Sequence, residues 1–331
     1  MFSETSFDDV SAQEKSLPGW QQEYRQLSPG LFHGRVATLQ FPGLTIIRER
    51  MNVAVEQHYS APDSSLIFFC QAAESGGVRI DGEFFGGSTV GFGHHWHERL
   101  SISAPMSDYL LAVVDLGDEP EETGVKTGLL QGAAAEQADS LYQWLTSLLE
   151  LQTSEPAGLP EQLLGLLPDM IRDRLGLLQQ SCTPEAAQTA SASRADLRLY
   201  RDMEAWLTDN PRGALSVAGL AREVRRSSQA LRAACLSVTG YRLDEMLMIR
   251  RLNHARRDLI AARDAPRRVG GVGLAGDRTA DHQVVGAGGQ RLGRGHDALL
   301  VALGGPGRAD ARHHQHEVRA AGPAQRRHLV G

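Results

Sequence analysis

Ala214-Leu-Ser-Val-Ala-Gly-Leu-Ala-Arg-Glu-Val-Arg-Arg-Ser-Ser-Gln-Ala-Leu-Arg-Ala-Ala-Cys-Leu-Ser-Val-Thr-Gly240 reads as two short helices separated by a tight turn. Ser216 precedes Val217, Leu220, Ala221 and Val224, which recur at three and four residues and so share one helical side. Ser227 stands in the same relation to Leu231, Ala234 and Cys235. A serine in that place accepts a hydrogen bond from a backbone N–H that the helix leaves without a partner, so each serine marks a helix start. A pair of this kind is either an ordinary helical hairpin or a helix-turn-helix, whose second helix lies in the major groove of DNA. In the second case the start of the second helix, capped by Ser227, belongs to the DNA-binding surface and presents Ser228, Gln229, Arg232 and Ala233 outward. Of these, Ser228, Gln229 and Arg232 read bases, since Gln pairs with adenine and Arg with guanine through two hydrogen bonds. Arg222, Arg225 and Arg226 then reach phosphates.

The charge around this stretch supports the second case. Residues 194–269 hold 16 Arg and no Lys against 9 acidic residues, a net charge of +7, in a chain of 331 residues whose total is −6. The last 62 residues carry +3, which leaves residues 1–193 at −16. Such a basic block beside an acidic partner suits phosphate neutralisation and counterion release, although arginines also decorate solvated helix faces.

Upstream, the pattern changes twice. Leu44 to Met51, Val53 to Tyr59, Ser65 to Gln71, Val78 to Phe85, Leu100 to Ala104 and Tyr109 to Leu116 are rich in β-branched and aromatic residues. Gly, Pro, Asn and Asp separate them, and breaks such as Asp81-Gly82 and Gly86-Gly87 suit hairpins, which predicts strands of a barrel or two-sheet sandwich. After a polar break over Gly117 to Gly124, Leu141, Trp144, Leu145, Leu148 and Leu149 recur at helical spacing. So do Leu163, Leu164, Leu167, Met170, Ile171, Leu175 and Leu178, with Pro168 expected to break or kink that helix. These stripes are open to two readings, core packing or a homodimer interface. Ser181 to Ser193 reads as a linker, and a helix from about Asp196 to Asp209 follows it.

A longer set of matches then carries a family resemblance. Leu215-Ser-Val-x-x-Leu-Ala-Arg222, Ser227-x-x-x-Leu231, Val238-Thr-Gly-Tyr241 and Ile249-Arg-Arg-Leu-Asn-x-Ala-Arg-Arg-x-Leu259 resemble the first half of the AraC/XylS-type DNA-binding domain. That resemblance implies a long linking helix at about Arg242 to Arg263. Trp20 to Gly34 looks like the beginning of the cupin-like sensing domain of the ethanolamine-operon regulator and its relatives, which implies a small-molecule effector. Two positions depart from the pattern. Arg225 and Arg226 occupy turn positions where the family more often has a small and an apolar residue, and Cys235 stands where a large aromatic is common.

The resemblance stops abruptly. A second helix-turn-helix should begin near Val269, yet from Gly270 onward there is no Phe, Tyr, Trp, Ile, Met, Lys, Ser, Asn or Cys. A Gly- and Arg-rich stretch without aromatics buries too little to offset its ordering entropy, which predicts disorder or poor packing. The simultaneous change of composition and loss of resemblance reads as a shift of reading frame; a natural tail that binds nucleic acid without specificity is the alternative.

The expected fold class is therefore α+β, and four regions are expected. They are a cupin-like β-barrel or sandwich (residues 1–125), a helical connector (126–193), an all-α helix-turn-helix domain lacking its second motif (194–269) and an aberrant tail (270–331). The expected function is that of an effector-responsive transcription regulator, an activator in keeping with its family. Its partners would be double-stranded DNA, an unidentified small molecule, RNA polymerase and a second copy of the chain. A metal-dependent cupin enzyme is the competing class, resting on Gly93-His94-His95-Trp96-His97-Glu98 with His58 or His33 in support. Its spacing is loose, so no cofactor, no metal and no enzymatic activity are expected. Cys70, Cys182 and Cys235 form no zinc or disulfide pattern and read as small apolar residues. No apolar run is long enough to span a bilayer, and Met1 to Lys15 lacks the pattern of an export signal, which places the chain in the cytoplasm.

Overall fold

The computed structural model describes residues 1–264 apart from 73, 87–89, 95, 118–127, 131, 155–158, 185–189, 212 and 214–215. The tail expected from residue 270 therefore lies outside the described residues, as does His95.

Four layers follow one another through the molecule. One sheet runs β1 (Phe2–Phe7), β3 (Gly34–Phe41), β4 (Leu44–Met51), β11 (Ser107–Asp115), β6 (Ser65–Gln71), β9 (Val90–His94), β12 (Gly128–Leu129) and β13 (Thr183–Pro184), in that order and antiparallel throughout. The second sheet runs β2 (Gln21–Gln26), β5 (Val55–Ser60), β10 (Arg99–Ser103), β7 (Val78–Ile80) and β8 (Glu83–Phe85), also antiparallel. A short α1 (Val10–Gln13) lies between β1 and β2, begun by Asp9, whose carboxylate accepts from Ser11 N.

Alternation along the strands explains the layering. On β11, Tyr109, Leu111 and Val113 point between the sheets, while Leu110 and Ala112 point to the other side. There they meet α2 (Ala133–Ser154) and α3 (Glu161–Gln180) through Leu145, Leu149, Leu167 and Ile171. Both faces of β6 and β11 are thus covered, which is why these two strands read as nearly continuous apolar runs, whereas β4 carries Arg48, Glu49 and Arg50. Each buried leucine of that layer stabilises the fold by roughly 1.5–3 kcal/mol.

α3 continues through Pro168, so the break expected there does not occur. The region expected as a connector contributes a layer of the first sheet's own core. Leu163, Leu166, Met170 and Leu177 remain exposed on the far side of α3.

The fourth layer is helical and covers the outside of the second sheet. It comprises α4 (Ala190–Asp209), α5 (Val217–Glu223), α6 (Ser228–Thr239) and α7 (Leu243–Asp264). Tyr200, Met203 and Leu207 of α4 share one apolar cluster with Leu27, Ala54, Leu100 and Ile102 of the sheet and with Leu220, Leu231 and Val238 of the short helices.

Candidate nucleic-acid interface and the seam behind it

Both serine caps are in place. Ser216 Oγ accepts from Gly219 N and Ser227 Oγ from Ala230 N, each from an extended backbone. The turn between α5 and α6 brings Arg225 to a φ of +53°, a left-handed conformation that costs a residue with a Cβ about 1–2 kcal/mol and that glycine would adopt freely. Here the departure noted in the sequence has a concrete form: a large cationic side chain stands where the backbone favours glycine.

Cys235 is fully buried, with its Sγ 3.5 Å from Tyr241 O, and Tyr200 shares its apolar cluster. Burial pushes the Cys235 thiol up to about 12, which leaves it a protonated packing group. Cys70 and Cys182 are buried as well.

The seven residues expected to contact DNA all belong to this unit. Arg222, Arg225, Arg226, Ser227, Gln229 and Arg232 are exposed, and Ser228 is half-buried. Arg232 lies against Asp244 at the start of α7, at 3.3 Å with both side chains about half exposed. It must exchange that carboxylate for a base edge in order to read one. α6 ends at Gly240, whose φ of +78° forms a left-handed cap. A side chain there would meet Arg79 of β7 at 3.0 Å, so the end of α6 abuts the sheet.

Sequence reasoning did not find what holds the helices to the sheet. Arg25 of β2 bonds Glu204 of α4 at 2.6 Å and lies 3.4 Å from Glu56 of β5 and 3.2 Å from Glu23. Arg250 of α7 also bonds Glu204, and the Tyr200 hydroxyl donates to Glu56 at 2.8 Å. Burial alone would raise the Glu56 carboxyl, but the Arg25 guanidinium, His58 and the Tyr200 hydroxyl outweigh it and hold the group well below the usual carboxylate range.

Further along α7, Asn253 takes both backbone groups of Gln26, accepting from its N–H at 3.1 Å and donating to its O at 2.9 Å. Arg256 bonds Asp9, and Arg257 bonds Glu23, Glu14 and Tyr24 O. The run Arg250-Arg-Leu-Asn-His-Ala-Arg-Arg257, read only as part of a linking helix, is therefore a docking edge. The alternation of charge in Glu23-Tyr-Arg25 was the available signal for its partner strand.

Two cavities accompany this arrangement. Between the sheets, Trp20, Tyr59, Trp96, Phe69 and Tyr109 line a space of about 40 Å³, with Glu49 in its wall. Buried Glu49 accepts from Gln13 and Tyr24 at 2.9 Å, and burial raises its carboxyl above the ordinary value because the groups facing it are neutral. Among the described residues, no hydrogen-bond partner meets Gln22 Oε1, which is buried there. The second cavity, about 300 Å³, opens along the seam between β2, the end of α4 and α7.

Among the described residues, His33, His94, His97 and Glu98, considered for a metal, form no ligand group with His58. His97 stands 3.8 Å from Asp63, Glu98 gives its carbonyl to Arg201 of α4, and His33 N–H donates to Asn52. His58 instead meets Glu56 and Glu204, whose donor atoms lie within 4.8 Å of one another. Arg25 already bonds both of those carboxylates.

No family model matches the chain. Among solved structures, the chain is similar to the AraC-like transcriptional activator CuxR at 16% identity and a TM-score of 0.37, over 78% of this chain and 95% of that one. It is also similar to a variant of oxalate decarboxylase from B. subtilis at 17% identity and a TM-score of 0.20, over 37% of this chain and 35% of that one. No helix among the described residues is long and apolar enough to cross a membrane.

Proposed function

We propose that the chain is a sequence-specific, DNA-binding transcription regulator whose β-sandwich responds to a small molecule, and that it is not an enzyme. The observation that carries this reading is α6: a helix capped by Ser227, with Gln229 and Arg232 on an exposed side and Arg222, Arg225 and Arg226 exposed beside it. In this reading α5, the turn and α6 form a helix-turn-helix. Residues 194–269 read DNA, residues 1–125 sense the effector, residues 126–193 connect them and residues 270–331 replace a second motif. With one motif instead of two, specific affinity is impaired.

The chain works in the cytoplasm as an activator beside RNA polymerase, and it pairs with a second copy through the exposed stripe Leu163, Leu166, Met170 and Leu177. Light scattering on the purified chain distinguishes monomer from dimer.

Fluorescence anisotropy with duplex fragments from the chain's own upstream region tests the reading. Arg232→Ala should lose about 1–3 kcal/mol on the preferred duplex and much less on random duplex. Arg225→Ala should weaken both equally and reduce the slope against salt by about one phosphate. Equal losses on both duplexes for Arg232→Ala, or no salt-sensitive association at all, would refute it.

A further inference from the structure

The seam cavity is asymmetric in charge. Among the described residues, four guanidiniums, from Arg25, Arg250, Arg251 and Arg257, line it together with His254, against a single lining carboxylate, Glu23. Three of these arginines are engaged: Arg25 with Glu23, Glu56 and Glu204, Arg250 with Glu204 and Thr208, Arg257 with Glu23 and Glu14. Arg251 is different. Its Nε donates to Leu247 O of its own helix at 3.1 Å, and among the described residues no carboxylate lies within ion-pair reach of it. A guanidinium offers five N–H donors in a planar fork matched to carboxylate and phosphate oxygens, so Arg251 and the remaining donors of Arg250 and Arg257 can converge on one oxyanion.

The rest of the wall sets size and shape. Leu207, Pro211 and Leu247 give it an apolar floor, and Asn210 and Thr208 add polar groups at one end. At about 300 Å³ the space lies at the lower edge of ligand-sized pockets, whereas the cavity between the sheets does not approach that range.

We propose that this cavity between β2, the end of α4 and α7 binds a small oxyanion with a short apolar skeleton, a phosphate ester or a dicarboxylate, through Arg251, Arg250 and Arg257. Arg25 and Glu23 give the cavity a wall on the sheet and α7 gives it a wall on the basic helices, so an occupant held by the arginines lies between the two sides of the seam. Binding itself is independent of the DNA-binding reading; only its regulatory consequence rests on that reading. The titration is therefore made without DNA, so that failure of one is distinguishable from failure of the other.

Isothermal titration calorimetry of the full chain with inorganic pyrophosphate, and separately with succinate, tests the site and tells phosphate from carboxylate. At least one should bind saturably with a dissociation constant of about 1 mM or tighter. Arg251→Ala, on the solvent side of α7, should weaken that binding by about tenfold, as loss of one charge-assisted contact does. Arg174→Ala, which removes the same charge from exposed α3, should leave it unchanged. Circular dichroism of both variants confirms that the fold is kept. Absence of saturable heat with both anions, or equal weakening by Arg251→Ala and Arg174→Ala, would overturn the proposal.

Discussion

Glu49 and Glu56 lie seven residues apart on neighbouring strands of the chain, both almost wholly buried, and they behave oppositely. Glu49 faces the space between the sheets, where Gln13, Tyr24 and Gln57 are neutral donors, and desolvation raises its carboxyl. Glu56 faces the helical layer, where desolvation is outweighed by Arg25 and assisted by His58 and Tyr200, and its carboxyl is held low. The two sides of one sheet are therefore stabilised by different physics. Between the sheets the Glu49 carboxyl meets neutral donors within an apolar core; at the seam the core is held by ion pairs in addition to apolar contact. Only the second is held by ion pairs, which salt screens, whereas acid acts on both with opposite sign.

The strongest way to break this contrast is Arg25→Met. It strands Glu56 and part of the charge on Glu204, and losing one partner of a buried network costs about 3–5 kcal/mol. Chemical denaturation of the purified variant measures this, and a loss near zero would show that the seam is not held by charge. Leu110→Ala is the counterpart in the layer beneath α2 and α3, with an expected loss of about 2–5 kcal/mol. Its loss should be the same in dilute buffer and at about 1 M salt, where the screening length falls to roughly 3 Å.

Acid sharpens the contrast further. Because the folded Glu56 is depressed below its ordinary value of 4.5, its contribution is complete above that pH and is lost as pH falls below it. Glu49 has the opposite sign: its folded value is raised, so its contribution is favourable in acid and is lost as pH rises through that value. Stability measured against pH should thus fall in acid, less steeply in Arg25→Met and more steeply in Glu49→Gln.

A smaller effect is expected at the other end of the seam. Asn253→Ala removes both side-chain bonds to Gln26 and should cost about 1–3 kcal/mol. Hydrogen exchange at the Gln26 amide should accelerate before global stability changes, since Asn253 Oδ1 is the acceptor of that N–H. The smallest effect belongs to Ser227→Ala, about 0.5–2 kcal/mol for a lost cap, confined to the exchange of the first amides of α6.

The parts legible in sequence were those whose partners are close in the chain or uniformly apolar. β4 and β6 were expected with the bounds they have: β6 is apolar on both faces, and β4 opens on Leu44, Ile46 and Ile47 and closes on Met51. α5 and α6 were legible because each capping bond spans only three residues. By contrast β1 and β2, read as Phe-Ser-Glu-Thr-Ser-Phe and Gln-Gln-Glu-Tyr-Arg-Gln, carry no apolar alternation and were missed. β1 lies at the edge of its sheet, and the outward face of β2 is satisfied by α4 and α7.

Residue order by itself determined the strand-rich first half, the helical second half, the two capped helices and the excess of arginine around them, because local periodicity and capping require only near neighbours. The tertiary structure decided which arginines are engaged and which are open. Arg25 meets Glu204 across 179 positions and Arg257 meets Glu23 across 234. Contacts over such separations depend on how four layers stack, and charge count alone cannot distinguish a cation facing solvent from one facing a carboxylate on another layer.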